Sequence, residues 1–423
     1  MSKAQKPNVV IVGGGLVGLL ATLKLSACVQ DKGWIVGLVA PVEKSQDPRT
    51  TAMLMPSIEM LEELDLWKAI QPTTAPLKTM RLIDGSKRLI RAPVTDFRAS
   101  EMNLEAFGYN VPNADLAALL EAKISSSKNI VRYDALVESA LCETENVTLS
   151  LDDGSTVETT LAVAADGRHS ILRKSAGIEV KTWSYPQTAL VLTFKHSLSH
   201  DYISAEFHTE TGPFTQVPLP SRPDAPNRSS LVWVVKPEDV EKYLNQKHKN
   251  IEQYIENKLQ SCFGKIELET APVALPLSGM TARSFGQNGV ALVGEAGHVF
   301  PPIGAQGFNL GLRDVSHLAD VLTKNELHND AMLSAYSLKR TADVSLRTAG
   351  VDIMNRSLLT DFLPVQAART IGISALGNIS WLRKLAMHGG LGSGLRQAFP
   401  KPSILMEKGR GAANQSQSNK AAQ

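Results

Sequence analysis

The sequence predicts an α/β fold: a parallel sheet with packed helices, an inserted and mostly antiparallel β lobe, and a helical C-terminal region. Three observations predict it. Asn8-Val9-Val10-Ile11-Val12 is a β-branched apolar run of buried-strand type that enters Gly13-Gly14-Gly15-Leu16-Val17-Gly18 directly. Leu161-Ala162-Val163-Ala164-Ala165 is a second such run and ends in Asp166-Gly167. Gly289-Val290-Ala291-Leu292-Val293 is a third and ends in Gly294-Glu295. Long insertions separate the three, so a domain built from all of them is discontinuous.

The first block reads G-x-G-x-x-G between a strand and a helix. Gly13 permits the tight turn, Gly15 lets a pyrophosphate approach the backbone, and Gly18 lets the helix pack closely on the strand. That helix, roughly 15–27, would point free N–H groups at the phosphate. Trp34 to Val39 reads as the next strand, after which an acidic residue ordinarily grips the ribose; Ala40 stands there instead, with Glu43 and Lys44 slightly later. Taken alone, the block also fits a glycine-rich turn without a ligand or an NAD-dependent dehydrogenase.

The other two blocks narrow the choice. After Asp166-Gly167 come Arg168-His169-Ser170 and Leu172-Arg173, the glycine allowing a close backbone turn. After Gly294-Glu295-Ala296-Gly297-His298 come Pro301-Pro302-Ile303-Gly304-Ala305-Gln306-Gly307-Phe308-Asn309-Leu310-Gly311 and Arg313-Asp314. A strand, a rigid Pro-Pro loop and a glycine-rich helix start follow one another. Such a helix start can face the electron-rich edge of a flavin and stabilise the negative charge of its reduced form.

These residues resemble the class A flavoprotein monooxygenases, of which para-hydroxybenzoate hydroxylase is the familiar example. In that family a glycine fingerprint, a D-G motif and a G-D motif hold one FAD. The resemblance implies Gly13, Gly15, Gly18, Asp166, Gly167, Gly294, Glu295, Gly304, Gly307 and Asn309 as cofactor contacts. Glu295 departs from the pattern, since the family has Asp there. Asp47-Pro48-Arg49-Thr50-Thr51-Ala52-Met53-Leu54 resembles the segment whose arginine reaches the FAD, which makes Arg49 a further contact. Phe107-Gly108-Tyr109-Asn110-Val111, Trp183 to Ala189, Gly212 to Pro220 and Asn355 to Leu359 look like the ubiquinone-biosynthesis hydroxylase branch.

The implied architecture is an FAD-binding Rossmann-like domain of glutathione-reductase type over 1–75, 97–180 and 277–330. A substrate domain would cover 76–96 and 181–276, with strands near 189–194, 214–219 and 230–235 and a helix near 238–259. C-terminal helices would follow over 331–405, and the Gly, Ala, Asn, Gln and Ser composition of 406–423 reads as a disordered tail. The implied reaction uses NAD(P)H to reduce the FAD; oxygen adds, and the flavin hydroperoxide transfers one atom to the aromatic ring of a prenylated phenol of ubiquinone biosynthesis. Asp166 would serve both the flavin and the transient nicotinamide. NADH versus NADPH and the ring carbon attacked stay open. Two other readings remain beside this one: a hydroxylase of a small soluble phenol, and a non-catalytic flavin-fold scaffold for prenylated intermediates.

Composition excludes other classes. The chain has 423 residues and a formal charge of +2, which gives no global argument for nucleic acid. Cys28, Cys142 and Cys262 are too dispersed for a zinc site or a disulfide framework, which favours a reducing cytoplasm. His196 and His200 are four apart without H-E-x-x-H, so no metal site is expected. No catalytic base emerges among His196, His200, His208 and His298. G-x-S-x-G, a P-loop and the W-x-W of flavin halogenases are all absent. Lys3 and Lys6 before an uncharged run suggest a signal sequence, but three glycines and Lys24 interrupt it. Between Arg356 and Lys401 cations predominate beside Leu and Ile, a pattern that fits peripheral contact with the inner face of a membrane, helix packing or a homodimer; the resemblance also implies contacts to other ubiquinone-biosynthesis proteins.

Overall fold

A computed structural model describes residues 6–42, 47, 49–86, 91–143, 146–301, 306–325, 330–359 and 363–391. Glu43, Lys44, Pro48, Pro302, Gly304, Arg396, Lys401 and the 406–423 tail lie outside the described residues. The first sheet runs Val290–Leu292, Leu161–Ala164, Val9–Val12, Val36–Val39, Ile130–Tyr133, all parallel, with the short Gly286–Gln287 strand antiparallel at one edge. Every residue of the three central strands is buried, which explains why they read as unbroken apolar runs rather than alternating ones.

Helix Leu16–Val29 packs on this sheet and against helices Gln306–Lys324 and Asn113–Ser126. A three-stranded meander of Val137–Cys142, Val147–Leu151 and Thr156–Thr159 precedes the Leu161–Ala164 strand and packs on helix Ile171–Ser175. A small antiparallel sheet of Thr50–Leu54, Gly108–Pro112 and Ala75–Pro76 stands beside them. Gly108 is required there, since a Cβ would lie 2.1 Å from the Met53 carbonyl oxygen.

The second large sheet has nine strands and is antiparallel except where Ile203–Thr209 pairs parallel with Thr79–Asp84. Strands Thr79–Asp84 and Thr95–Arg98 therefore join those of the 180–282 stretch in one sheet. Its longest strand, Val180–His196, pairs with Ser278–Ala282 near its start and Val273–Pro276 further on, with an irregularity between Ser184 and Thr188. These two strands run continuously through the expected limits at 180/181 and 276/277, so a two-stranded ribbon links the two sheets.

The pleat of this sheet separates two environments. On one face Leu190, Phe194, Phe207, Phe214, Leu231 and Trp233 pack against Ile251 and Ile255 of the amphipathic helix His248–Lys258. On the other, Ser204, Glu206, Thr215, Val217, Ser230 and Val232 face a cavity. The single helix expected near 238–259 is divided into a 3-10 turn at Pro237–Asp239 and helices Val240–Leu244 and His248–Lys258. The C-terminal stretch forms helices Asp330–Leu359, Leu363–Asn378 and Ser380–Leu391. Pro364 is the second residue of its helix, where its missing N–H forgoes no helical hydrogen bond.

Candidate cofactor and substrate site

The carboxyl ends of the parallel strands open on a cleft of about 860 Å³, whose wall includes Gly14, Gly15, Gly18, Arg49, Gly167, Gly294, Glu295 and Gly307. Six of the residues singled out from three distant blocks, and Arg49 from a fourth, thus converge on one space. The glycines divide by what surrounds them. Gly13 has φ +118, and a Cβ on it would sit 2.3 Å from the Ala165 carbonyl oxygen; one on Gly18 would sit 2.0 Å from that of Gly13. These two hold the strand–helix crossing together. A Cβ on Gly15, Gly167 or Gly307 would meet nothing within 4 Å, so here the backbone is bare toward open space.

Gly15 caps helix Leu16–Val29 in an extended conformation, with no side-chain cap and no acidic residue in the first turn. The helix start therefore presents uncapped N–H groups and the positive end of its dipole, the environment a pyrophosphate requires. Bare glycine backbone, an uncapped helix start and a cleft of about 860 Å³ together fit a dinucleotide such as FAD.

Arg49 sits at the cleft wall in a two-point pair with Asp47: Nε donates to Oδ1 and Nη2 to Oδ2, both at 2.8 Å. Asn113 Nδ2 also donates to Asp47 at 2.8 Å. The Arg49 guanidinium holds the Asp47 carboxyl down to about 2, and the carboxylate in turn raises the guanidinium above its ordinary value. Glu295 is exposed on the same wall. The turn that carries it is anchored from behind: Gly294 N–H donates to Asp314 Oδ2 at 2.8 Å, as does His298 Nε2 at 2.7 Å. Arg340, fully buried, meets Asp314 Oδ1 at 2.6 Å and donates to Asp343 at 2.7 Å.

Two of the expected contacts are placed differently. The cleft wall at the second block is formed by Ala165 and Gly167, while Asp166 Oδ2 accepts from the N–H groups of Ile171 and Leu172 at 2.8 and 3.3 Å. Its Oδ1 is buried without a hydrogen-bond partner, and burial pushes the carboxyl above its ordinary range. Asn309 ties helix Gln306–Lys324 to the Thr50–Leu54 strand: Oδ1 accepts from Leu54 N–H and Ser57 Oγ, and Nδ2 donates to Ala52 O, all at 2.8 Å.

Sequence reasoning missed Pro41, Asp47, Asn113 and Glu121, which also line the cleft. Glu121 pairs with Arg132, which donates in turn to the carbonyls of Ala40 and Pro41 at 3.3 and 2.8 Å. An acid thus stands near the end of the second strand, supplied by a helix rather than by the strand itself.

A second cavity of about 350 Å³ shares Thr50, Thr51, Gly307 and Phe308 with the cleft. Leu77, Met80, Leu82, Phe107, Val217, Val232 and Phe300 make it mainly apolar, with Asn110, Ser204, Glu206, Thr215 and Ser230 between them. Three of the four histidines considered above have structural partners. His196 contacts Leu198 O at 2.7 Å and Ser229 Oγ at 2.9 Å, His200 accepts from Tyr202 N–H at 3.1 Å, and His298 holds Asp314. The fourth, His208, lies 2.9 Å from Glu206.

Residues 6–347 match the model of the FAD binding domain family. Ubiquinone hydroxylase UbiL of Rhodospirillum rubrum is 30% identical over 411 residues, covering 94% of this chain and 92% of the relative. The 3-demethoxyubiquinol 3-hydroxylase of Escherichia coli is 27% identical over 402 residues, covering 92% and 99%. Among solved structures, p-nitrophenol 4-monooxygenase PnpA from Pseudomonas putida superposes with TM-score 0.73 at 17% identity, covering 91% and 98%. A probable FAD-dependent monooxygenase, pqsL of Pseudomonas aeruginosa, gives 0.70 at 20%, covering 87% and 99%. With three glycine-bearing blocks around one cleft and a family match over most of its length, the chain belongs to the FAD binding domain family, among the FAD-dependent aromatic monooxygenases of the ubiquinone-biosynthesis branch.

Proposed function

We propose that the protein hydroxylates the aromatic ring of a prenylated phenol or quinol intermediate of ubiquinone biosynthesis, using FAD, NAD(P)H and dioxygen. The observation that carries the reading is the shared wall: Thr50, Thr51, Gly307 and Phe308 border both the cleft and the apolar cavity. A ring in the second would lie against a flavin in the first. The names of the relatives, ubiquinone and demethoxyubiquinol hydroxylases, support the substrate class.

Bound FAD would supply the redox chemistry, taking a hydride from NAD(P)H and activating oxygen. The chain's own part is to bind and shield. The bare backbone of Gly15 and the start of helix Leu16–Val29 would take the pyrophosphate. Arg49, Gly167, Glu295 and Gly307 would line the rest of the cofactor, and Asp166 would act from behind Gly167. Phe107, Val217, Val232 and Phe300 would keep water from the reacting ring. Purified protein should be yellow, and NADH or NADPH oxidation should rise on adding a prenylated phenol, with the hydroxylated product seen by mass spectrometry. Deleting the gene should accumulate a quinone precursor; an unchanged quinone profile overturns the reading.

Contact with a membrane belongs to the same proposal. Helix Ser380–Leu391 exposes Trp381, Lys384 and Leu385, while its Met387 is buried against Phe107, which lines the cavity. Ile371 on the preceding helix is 68% exposed. An apolar and cationic surface beside the substrate cavity suits an anionic bilayer in which a prenylated ring is dissolved. Sedimentation with anionic vesicles at low salt tests it, and a protein that stays in the supernatant removes this part of the reading.

A further inference from the structure

We propose that Glu206, held by His208, accepts the proton of the substrate's ring hydroxyl during hydroxylation. The proposal rests on the reading that an aromatic hydroxyl compound occupies the 350 Å³ cavity. Among the described residues lining that cavity, Glu206 is the only carboxylate, and none is His, Lys, Tyr or Cys. The other charged group in the wall, Arg81, is engaged by Asp96 through hydrogen bonds of 2.7 and 2.9 Å. Asp84, beside His208 across the strand pair, accepts from Ser86 N–H and Oγ and from Ala92 N–H. The elements on the cofactor side contribute Phe300, Pro301, Gln306, Gly307 and Phe308, none of them charged. Among the described residues, Glu206 is therefore the one carboxylate in reach of a ring bound in this cavity.

Its setting favours that role over a packing one. Glu206 lies within a sheet face between Met80, Leu82, Val217 and Val232, where an unpaired carboxylate pays a desolvation penalty that Ser or Val would avoid. It is supported instead: His208 Nε2 donates to Oε1 at 2.9 Å and Thr215 Oγ1 to Oε2 at 3.3 Å. Each carboxylate oxygen keeps a lone pair for a ligand. His208, 7% exposed, has its Nε2 fixed on the carboxylate and is a positioning residue. In the step proposed, the O–H bond of the ring hydroxyl breaks and its proton passes to Glu206. The electron pair stays on the ring oxygen and raises the density at the ortho and para carbons, where the oxygen supplied by the cofactor chemistry adds. The proton leaves to solvent when product departs, restoring the carboxylate.

The test uses the FAD-loaded enzyme with 2-prenylphenol and its O-methyl ether, which lacks the proton. Wild type should bind the phenol about tenfold tighter than the ether, the effect of one hydrogen bond to a charged group. Glu206→Gln should bind the two alike, keep its FAD content, and lose about 100-fold or more in kcat/KM, the usual scale of a lost proton acceptor. The fall in wild-type kcat/KM as pH is lowered should be absent in Glu206→Gln. His208→Leu should move that fall to higher pH, and His208→Gln, which keeps a donor, should restore it. Equal wild-type affinity for phenol and ether, or a Glu206→Gln enzyme with wild-type kcat/KM and pH profile, overturns the proposal. A protein that prefers the phenol through Glu206 yet leaves it unhydroxylated would sink the function reading and spare the contact.

Discussion

Arg340 and Asp314 meet at 2.6 Å with both side chains shut off from solvent, directly behind the turn that presents Glu295 to the cleft. Asp314 is on helix Gln306–Lys324 and Arg340 on helix Asp330–Leu359, so the pair joins the C-terminal helices to the cofactor wall. Tyr336, also fully buried, adds a 2.7 Å hydrogen bond from its hydroxyl to Leu292 O at the end of the outer parallel strand.

Breaking that pair from one side leaves the buried Asp314 carboxylate with Gly294 N–H and His298 but without its arginine. Arg340→Met should therefore lower the unfolding free energy by about 3–5 kcal/mol. Urea denaturation of the apoprotein measures it. FAD affinity should fall as well, because Gly294 loses a fixed acceptor. Arg340→Lys, unable to reach Asp314 and Asp343 together, should fall between the two; a wild-type midpoint for Arg340→Met contradicts the assignment.

Gly15 and Gly18 should fail in different ways, although both belong to one fingerprint. Gly15→Val places its side chain in open space, so the apoprotein should fold with unchanged stability while its flavin content drops to near zero. Gly18→Ala drives a methyl to 2.0 Å from the Gly13 carbonyl oxygen, and the fold itself should lose stability. Flavin absorbance per chain, set beside the apoprotein melting temperature, separates the two. Yellow Gly15→Val protein would show that the phosphate lies elsewhere.

Asn309 gives a complementary expectation. Three hydrogen bonds tie its amide to Ala52, Leu54 and Ser57, so Asn309→Ala should cost about 2–3 kcal/mol through the orphaned backbone groups. Flavin affinity should change only as far as the Thr50–Leu54 strand shifts. Asn309→Asp keeps the acceptor and loses the donor to Ala52, and should lie between the wild type and the alanine variant. Titration of the apoproteins with FAD, beside urea unfolding, checks both.

The parts legible in the sequence are those where the constraint is on the backbone and local. Gly13 can be read because the turn sets its φ at +118, and Gly18 because its 2.0 Å crowding against the Gly13 carbonyl oxygen follows from the same turn. The strand runs at 9–12, 161–164 and 290–292 can be read because burial on both faces removes alternation. Spacing fixes a residue's place but not its direction, and so Asp166 and Asn309, adjacent to the cleft in sequence terms, turn toward protein partners. Glu121 was invisible as an acid at the end of the second strand, because it comes from helix Asn113–Ser126 and reaches that strand end through Arg132, 92 residues beyond Ala40. Glu206 has no motif: it is one polar residue in an alternating strand, and only the cavity it faces sets it apart. Arg340 could not be singled out either, since a helix of mixed polarity gives no sign of which cation lies inside.

The two most displaced histidines predict how the fold responds to acid. Burial, reinforced by His196, lowers His200 to about 4, and burial, reinforced by Arg340 and Lys339, lowers His317 to about 4, from an ordinary value of 6.5. The native state thus holds both rings neutral where the unfolded chain protonates them. Their contribution to stability is complete above pH 6.5 and is lost as pH falls from 6.5 toward 4, the unfolded state binding more protons throughout that window. Urea unfolding at half-unit steps from pH 7.5 to 4 should show stability declining with acid. His200→Gln and His317→Gln should each flatten the slope by up to about one proton, since the replaced ring no longer titrates in either state. A slope unchanged in the double variant would mean that both rings protonate in the folded protein, and would place the acid sensitivity in the carboxylates instead.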